Sequence, residues 1–144
     1  RPAFAVVPDS LRAAEYNLTF EVRRGDEQPI EIVVEVYQDS IFRVTAYDRH
    51  AKHPRYLPPT VVSPPSLLSP FRVGTSSSTS SLVLPAATLL VNHEPFRLTL
   101  AGALGEKRLE LGAQGLMEVE RQWSEAEWDA LWVGEGPAGE GECA

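Results

Sequence analysis

The chain has one cysteine, Cys143, almost at its end. No internal disulfide can form, a zinc site built on cysteines is excluded, and cysteine usage says nothing about the redox compartment. No run reaches the roughly 20 apolar residues a membrane helix needs. The longest uncharged stretch, Val73 to Asn92, is dominated by Ser and Thr in its first half. Charge of one sign is missing from the body: residues 1–117 hold 12 acids and 12 bases. The net charge of −7 comes from residues 118–144, with eight acids and only Arg121 as a base. The broad basic footprint of a nucleic-acid binder is absent, and neither nucleic acid nor membrane insertion is expected. Proline, in contrast, is abundant. Twelve residues of 144 are proline, a residue costly inside helices and confined to the edges and bulges of sheets. The composition leans to β-structure with many loops.

Period-two alternation carries the first half. Tyr16, Leu18, Phe20 and Val22 face one way, and Asn17, Thr19, Glu21 and Arg23 the other, which marks a half-buried strand. Arg24-Gly25-Asp26-Glu27 is a turn signal. Ile30 to Tyr37 alternates again, Gln38-Asp39-Ser40 turns the chain, and Ile41 to Tyr47 reads as a third strand. Short polar connections between consecutive strands predict an antiparallel meander.

Residues 54–70 contain six of the twelve prolines and are expected to run extended without joining a ladder. Val73-Gly74-Thr75 and the Ser/Thr run to Ser81 look like an exposed loop, read as a flexible surface hairpin. Strand signals return at Ser81–Leu84, Thr88–Asn92, Phe96–Leu100, Lys107–Leu111 and Leu116–Arg121. About eight short strands in regular succession predict an all-β, antiparallel β-sandwich over residues 1–122. Ser124 and Glu127 form a capping box, and Trp128, Leu131 and Trp132 fall on one helical face, so residues 123–133 read as a short amphipathic helix in need of a docking surface. Residues 134–144, with four glycines and three glutamates, read as an acidic, disordered linker.

Catalytic signals are few. No serine sits in a Gly-x-Ser-x-Gly elbow. His50 and His53 are three apart, but lie in a basic loop with Arg49 and Lys52, which disfavours a cation; neither metal nor cofactor is expected. His93 reads as a turn residue. Asp39 and Asp48 flank turns, where Asp serves the backbone. Arg43, Arg49, Lys52 and Arg55 make a local basic patch, read chiefly as surface arginines that pair with acids or loop carbonyls. Asn17-Leu18-Thr19 is a sequon, usable for N-glycosylation at Asn17 if the protein enters the secretory pathway.

Two ordered sets of residues resemble a known family. Phe42-Arg43-Val44, then Pro54-Arg55-Tyr56, then a proline-rich extension, resembles the N-terminal β-sandwich of glycoside hydrolase family 31. Downstream, Pro95-Phe96-Arg97-Leu98 and Gly115 to Gln122, followed by an acidic glycine-rich tail, resemble a second part of the same domain. The family comprises α-glucosidases with a (β/α)₈ catalytic barrel, and the match is strongest to catalytic α subunits that trim glucose from N-glycans in the endoplasmic reticulum.

The resemblance implies a galactose-mutarotase-like sandwich, incomplete in this chain, that packs on a catalytic barrel. It implies retaining hydrolysis of terminal α-linked glucose by the whole enzyme, a glycan substrate, a regulatory β subunit as partner, and an endoplasmic-reticulum location, with a cytoplasmic enzyme of the same family as the alternative. The family's catalytic aspartates lie on the barrel, so no catalytic residue is assigned here and the piece alone is expected to be inactive. Phe42, Val44, Tyr56, Phe96 and Leu98 are the expected packing positions, and Arg43, Arg55 and Arg97 the expected structural arginines. The competing reading is a free-standing β-sandwich module that binds carbohydrate or another protein.

Overall fold

The computed structural model describes residues 2–51 and 68–112. The expected packing residue Tyr56, the expected arginine Arg55, the strand expected at Leu116–Arg121, the short helix and the acidic linker lie outside the described residues.

Ten strands are present among the described residues: β1 (Ala5–Val6), β2 (Arg12–Ala13), β3 (Asn17–Arg23), β4 (Ile30–Tyr37), β5 (Ile41–Tyr47), β6 (Arg72–Thr75), β7 (Thr79–Val83), β8 (Ala87–Asn92), β9 (Arg97–Gly102) and β10 (Lys107–Leu111). They form two antiparallel sheets. The first runs β1-β3-β4-β5, with β2 also paired to β3; the second runs β10-β9-β8-β7-β6. The molecule is an all-β sandwich, as the alternation predicts.

The meander of the first sheet grows directly out of its sequence. Leu18, Phe20 and Val22 pair with Val34, Ile32 and Ile30, and all six are buried. Burial of each such side chain contributes about 1.5–3 kcal/mol. A one-residue slip would turn this whole set outward, so the pattern itself fixes the register. Between β4 and β5 the chain turns through Asp39 and Ser40, both at positive φ (61° and 59°). Paired left-handed residues match the twist of a tight hairpin better than ordinary turns do.

The core lies between the sheets. Leu18, Phe20, Val22, Ile30, Ile32, Val34 and Val36 come from the first sheet, and Leu82, Leu84, Leu89, Val91, Phe96 and Leu98 from the second and its turns. Phe20 and Phe96 meet across the interface at 5.8 Å between ring centroids, tilted by 59°, an edge-biased arrangement favoured by the ring quadrupoles.

Two segments differ from expectation. The Ser/Thr run does form a hairpin, but one more regular than expected: Arg72–Thr75 and Thr79–Val83 pair residue for residue, from Arg72 with Val83 to Thr75 with Ser80. Only Ser76 to Ser78 form the turn. The strand holds because ladder bonds need only backbone, and because the inward positions after Ser80 are Leu82 and Leu84. Ser76 stabilises the turn locally; its backbone N–H donates to the Thr79 carbonyl at 2.7 Å, and its Oγ accepts from the Thr79 N–H at 3.1 Å.

The second difference is at the amino terminus, where β1 and β2 are too short for a periodic signal. The loop between them bulges from the edge of β3 and is held there by bonds from Val7 N–H to the Glu21 carbonyl (2.8 Å) and from Glu21 N–H to Ser10 Oγ (3.0 Å).

Strand β1 also reaches the second sheet. Its Val6 N–H donates to the His93 carbonyl at 2.8 Å, and the Phe96 N–H donates to the Phe4 carbonyl at 2.6 Å. The segment therefore staples one side of the sandwich shut, with Phe4 buried beneath it and the Arg24 guanidinium 5.0 Å from the Phe4 ring centroid. On the far side β5 and β10 have no such staple among the described residues.

Candidate functional site

Three features bear on function: a polar cleft beside the staple, lines of ion pairs on the outer faces, and an apolar mouth between β5 and β10.

The cleft encloses about 850 Å³ between the β1–β2 loop (Val6 to Asp9, Leu11 and Arg12), the β6–β7 turn (Thr75 to Ser78) and His93-Glu94. Its mixed polar and apolar lining comes from three segments far apart in sequence, which is why no motif announced it. Arg12 is committed to its own loop, where it donates to the carbonyls of Asp9 and Leu11. His93 lies in the turn between β8 and β9. Its Nε2 is 2.9 Å from Ser80 Oγ, and its backbone N–H donates to the Ser78 carbonyl at 2.9 Å.

A serine beside a histidine raises the question of nucleophilic catalysis. The geometry argues against it. Ser80 is only 1% exposed and faces the core, so its hydroxyl is out of reach of a substrate. Among the described residues no carboxylate is bonded to the His93 ring to orient it. The pair instead satisfies a hydroxyl that the register turns inward, as buried polar groups require. The cleft also lacks any aromatic lining residue apart from the His93 ring, so the Tyr or Trp that usually anchors a recognition surface is missing among the described residues.

The outer faces carry the arginines. Arg43 sits directly across from Glu35 in the β4–β5 ladder, with Nε 3.6 Å from the carboxylate. Its pKa is raised, first by a hydrogen bond to Tyr37 and then by Glu35. Arg49 pairs with Glu31, which faces Glu21 across the ladder. Like charges directly opposite are unfavourable, and Arg49 offsets them, since both acids raise its pKa, Glu31 foremost. Within the described part of the basic patch, Arg43 and Arg49 are therefore matched by acids of β4. Arg97 pairs with Glu110 at 3.1 Å across β9–β10, and Lys107 also bonds Glu110. With the Asn92 amide turned to suit its neighbours, its oxygen also accepts from Arg97. The Glu110 carboxyl is held below the usual carboxylate range, first by Lys107 and then by Arg97, against the opposing effect of partial burial. These exposed pairs orient strands more than they stabilise them.

The packing residues divide. Phe96 and Leu98 are buried in the core, and Phe42 is half-buried against it. Val44 faces inward, opposite the buried Val34, yet is 38% exposed. It lines the mouth of about 80 Å³ with Phe42, Leu98, Leu100, Leu109 and Leu111. Leu109 and Leu111 are 51% and 46% exposed, although their register opposite Leu100 and Leu98 turns them inward. Three inward apolar residues are thus left uncovered on one side. Asn17 opens β3 opposite Glu35 and is half-buried.

No family model matches the chain, and no curated protein matches it by sequence. Solved structures do match it by fold. A crystal structure of a glucosidase II alpha subunit, Glc1Man2-bound, superposes with a TM-score of 0.71 at 14% identity, over 85% of this chain. A second, alpha3-Glc2-bound, gives 0.72 at 13% identity over 87%. The chain spans 16% of the length of each. Its fold is that of a β-sandwich segment of the glucosidase II alpha subunit.

Proposed function

We propose that this chain is the N-terminal, non-catalytic sandwich segment of a retaining α-glucosidase of glycoside hydrolase family 31, the enzyme that removes terminal α-linked glucose from N-glycans in the endoplasmic reticulum. The observation that carries this reading is the fold match to glucosidase II alpha subunits over most of the chain. The order of Phe42-Arg43-Val44, Pro54-Arg55-Tyr56 and Pro95-Phe96-Arg97-Leu98 supports it independently. The segment's role is physical: it presents a rigid sandwich whose uncovered surfaces pack against the remainder of the enzyme. The catalytic barrel of the same protein and a regulatory β subunit are its partners, and Asn17 is its glycosylation site.

The absence of a Tyr- or Trp-lined cleft among the described residues favours this role over a free-standing sugar-binding module. Assaying the 144-residue chain on a chromogenic α-glucoside checks the catalytic half: no turnover is expected, and turnover that survives purification to homogeneity would overturn it. Mixing the chain with the protein encoded downstream of Ala144 checks the other half, with a stable complex as the expected outcome.

A further inference from the structure

The two sheets turn very different faces outward. On the first sheet the ladder aligns Glu21 with Glu31 and Tyr47, and Asn17 with Glu35 and Arg43. Charged side chains therefore stand on both sides of the middle row, Thr19-Val33-Thr45, in which Thr45 is only 9% exposed. Arg43 pairs with Glu35 there, and Arg49 with Glu31. Covering this face with another protein surface would strip water from those ions, a cost that exceeds the gain unless every charge keeps a good partner. The sequon asparagine Asn17 opens the same face, and a glycan on it would need to stand in water.

The second sheet is the reverse. Leu82, Leu89, Val91 and Leu98 fill the core, so their neighbours along each strand point outward. The register lines up Gly74, Ser81, Leu90 and Thr99 in one row across four strands. Val83, Thr88 and Ala101 form the next row. Neither row contains a charge; Arg72, Lys107 and Glu110 stand only at their ends. Leu90 lies on β8, the middle strand of the five, yet is 37% exposed, and Val83 is 44% exposed. The block is also shallow. Gly74 has no side chain, and the Ser81 hydroxyl leans back to the Gly74 carbonyl at 3.4 Å. A Cβ on Gly74 would lie 2.9 Å from that hydroxyl oxygen.

We propose that the outer face of the second sheet, centred on Leu90, is the surface by which this segment docks on the remainder of its own enzyme, against a partner surface that is uncharged and apolar at the contact. The centre of a protein interface is depleted of charge and packed as densely as an interior. A flat block with no ion to desolvate and no long side chain to immobilise meets both conditions. The chain spans 16% of each glucosidase II alpha subunit it matches, so an enzyme of that kind has a large body beyond this segment to supply the partner surface. The outer face of the first sheet stays in water. The proposal rests on the reading of the chain as a segment of a larger α-glucosidase.

Titration calorimetry of the 144-residue chain against the protein encoded downstream of Ala144 tests the proposal. Leu90→Lys is expected to weaken the complex about tenfold or more, because it carries an unpaired charge into the contact. Thr19→Lys, on the outer face of the first sheet, is expected to change binding by less than about twofold. Both variants are expected to keep the parent's circular dichroism and its monomeric state. Equal binding by Leu90→Lys and the parent, or a loss with Thr19→Lys instead, would overturn the docking face and leave the α-glucosidase reading standing. A parent chain that forms no complex would overturn both. A parent dimer that Leu90→Lys dissolves would overturn the proposal in favour of a second copy on this face. If Leu90→Lys fails to fold, Thr88→Lys on the same face takes its place with the same expected loss. If neither folds, the face belongs to the chain's own core and the proposal falls.

Discussion

The two sides of the sandwich differ in how their sheets are joined. On one side, β1 pairs with β3 and also bonds the β8–β9 turn, so backbone hydrogen bonds tie the sheets together over a buried Phe4. On the other, the described residues of β5 and β10 meet through side chains, of which Val44, Leu109 and Leu111 are partly exposed. The stapled side needs nothing further. The open side, among the described residues, has no backbone bond of this kind between its two sheets.

Substitutions on the two sides sharpen this contrast. Phe4→Ala on the stapled side is expected to lose about 3–5 kcal/mol, as large-to-small changes at buried aromatics do, measured by urea unfolding. Leu109→Ala on the open side should lose about 1 kcal/mol, because only part of its surface is removed from water. Equal losses at the two positions would erase the distinction. The smallest effect is expected from Glu110→Gln beside the mouth. The Glu110 pKa is depressed in the folded state, so its contribution is fully present above the ordinary carboxylate range, near about pH 4.3, and disappears as pH falls through its lower folded value. The glutamine variant should therefore show a slightly flatter decline of stability below about pH 4.3, measured by thermal unfolding across an acid titration. A steeper decline would reverse the sign of the interaction.

The sequence was easiest to read where apolar residues alternate without interruption. Leu18-Phe20-Val22 and Ile30-Ile32-Val34-Val36 announce both their strands and their faces, because the period of two has no competing helical interpretation. Strand β7 was half hidden. Its inward Ser80 looks like loop chemistry until the His93 ring across the ladder is known, and that partner is 13 residues away. The two-residue strands β1 and β2 carry no period at all; their pairing is imposed by β3. Val44 shows a different limit. Its inward direction can be read from alternation, but whether an inward residue is covered depends on what stands opposite, and the sequence of β5 does not contain that information. The polar cleft was illegible for the same reason, since its three lining segments come together only through the fold.

The staple has one more consequence, for the order in which the chain acquires its structure. Val6 and His93 are 87 positions apart, and Phe4 and Phe96 are 92 apart. The first sheet, being a meander, can pair as soon as Tyr47 is made. The bonds that lock it to the second sheet must wait until the chain has grown past Phe96, and loop closure over such a span is entropically unfavourable before the non-local contacts repay it. Strand β1, synthesised before every other strand of the sandwich, can pair with β3 early, yet its bonds to the second sheet are among the last to form. Until the second sheet is made and closes over it, the apolar face of the meander stays exposed, which makes this interval the one in which a nascent chain depends most on chaperones.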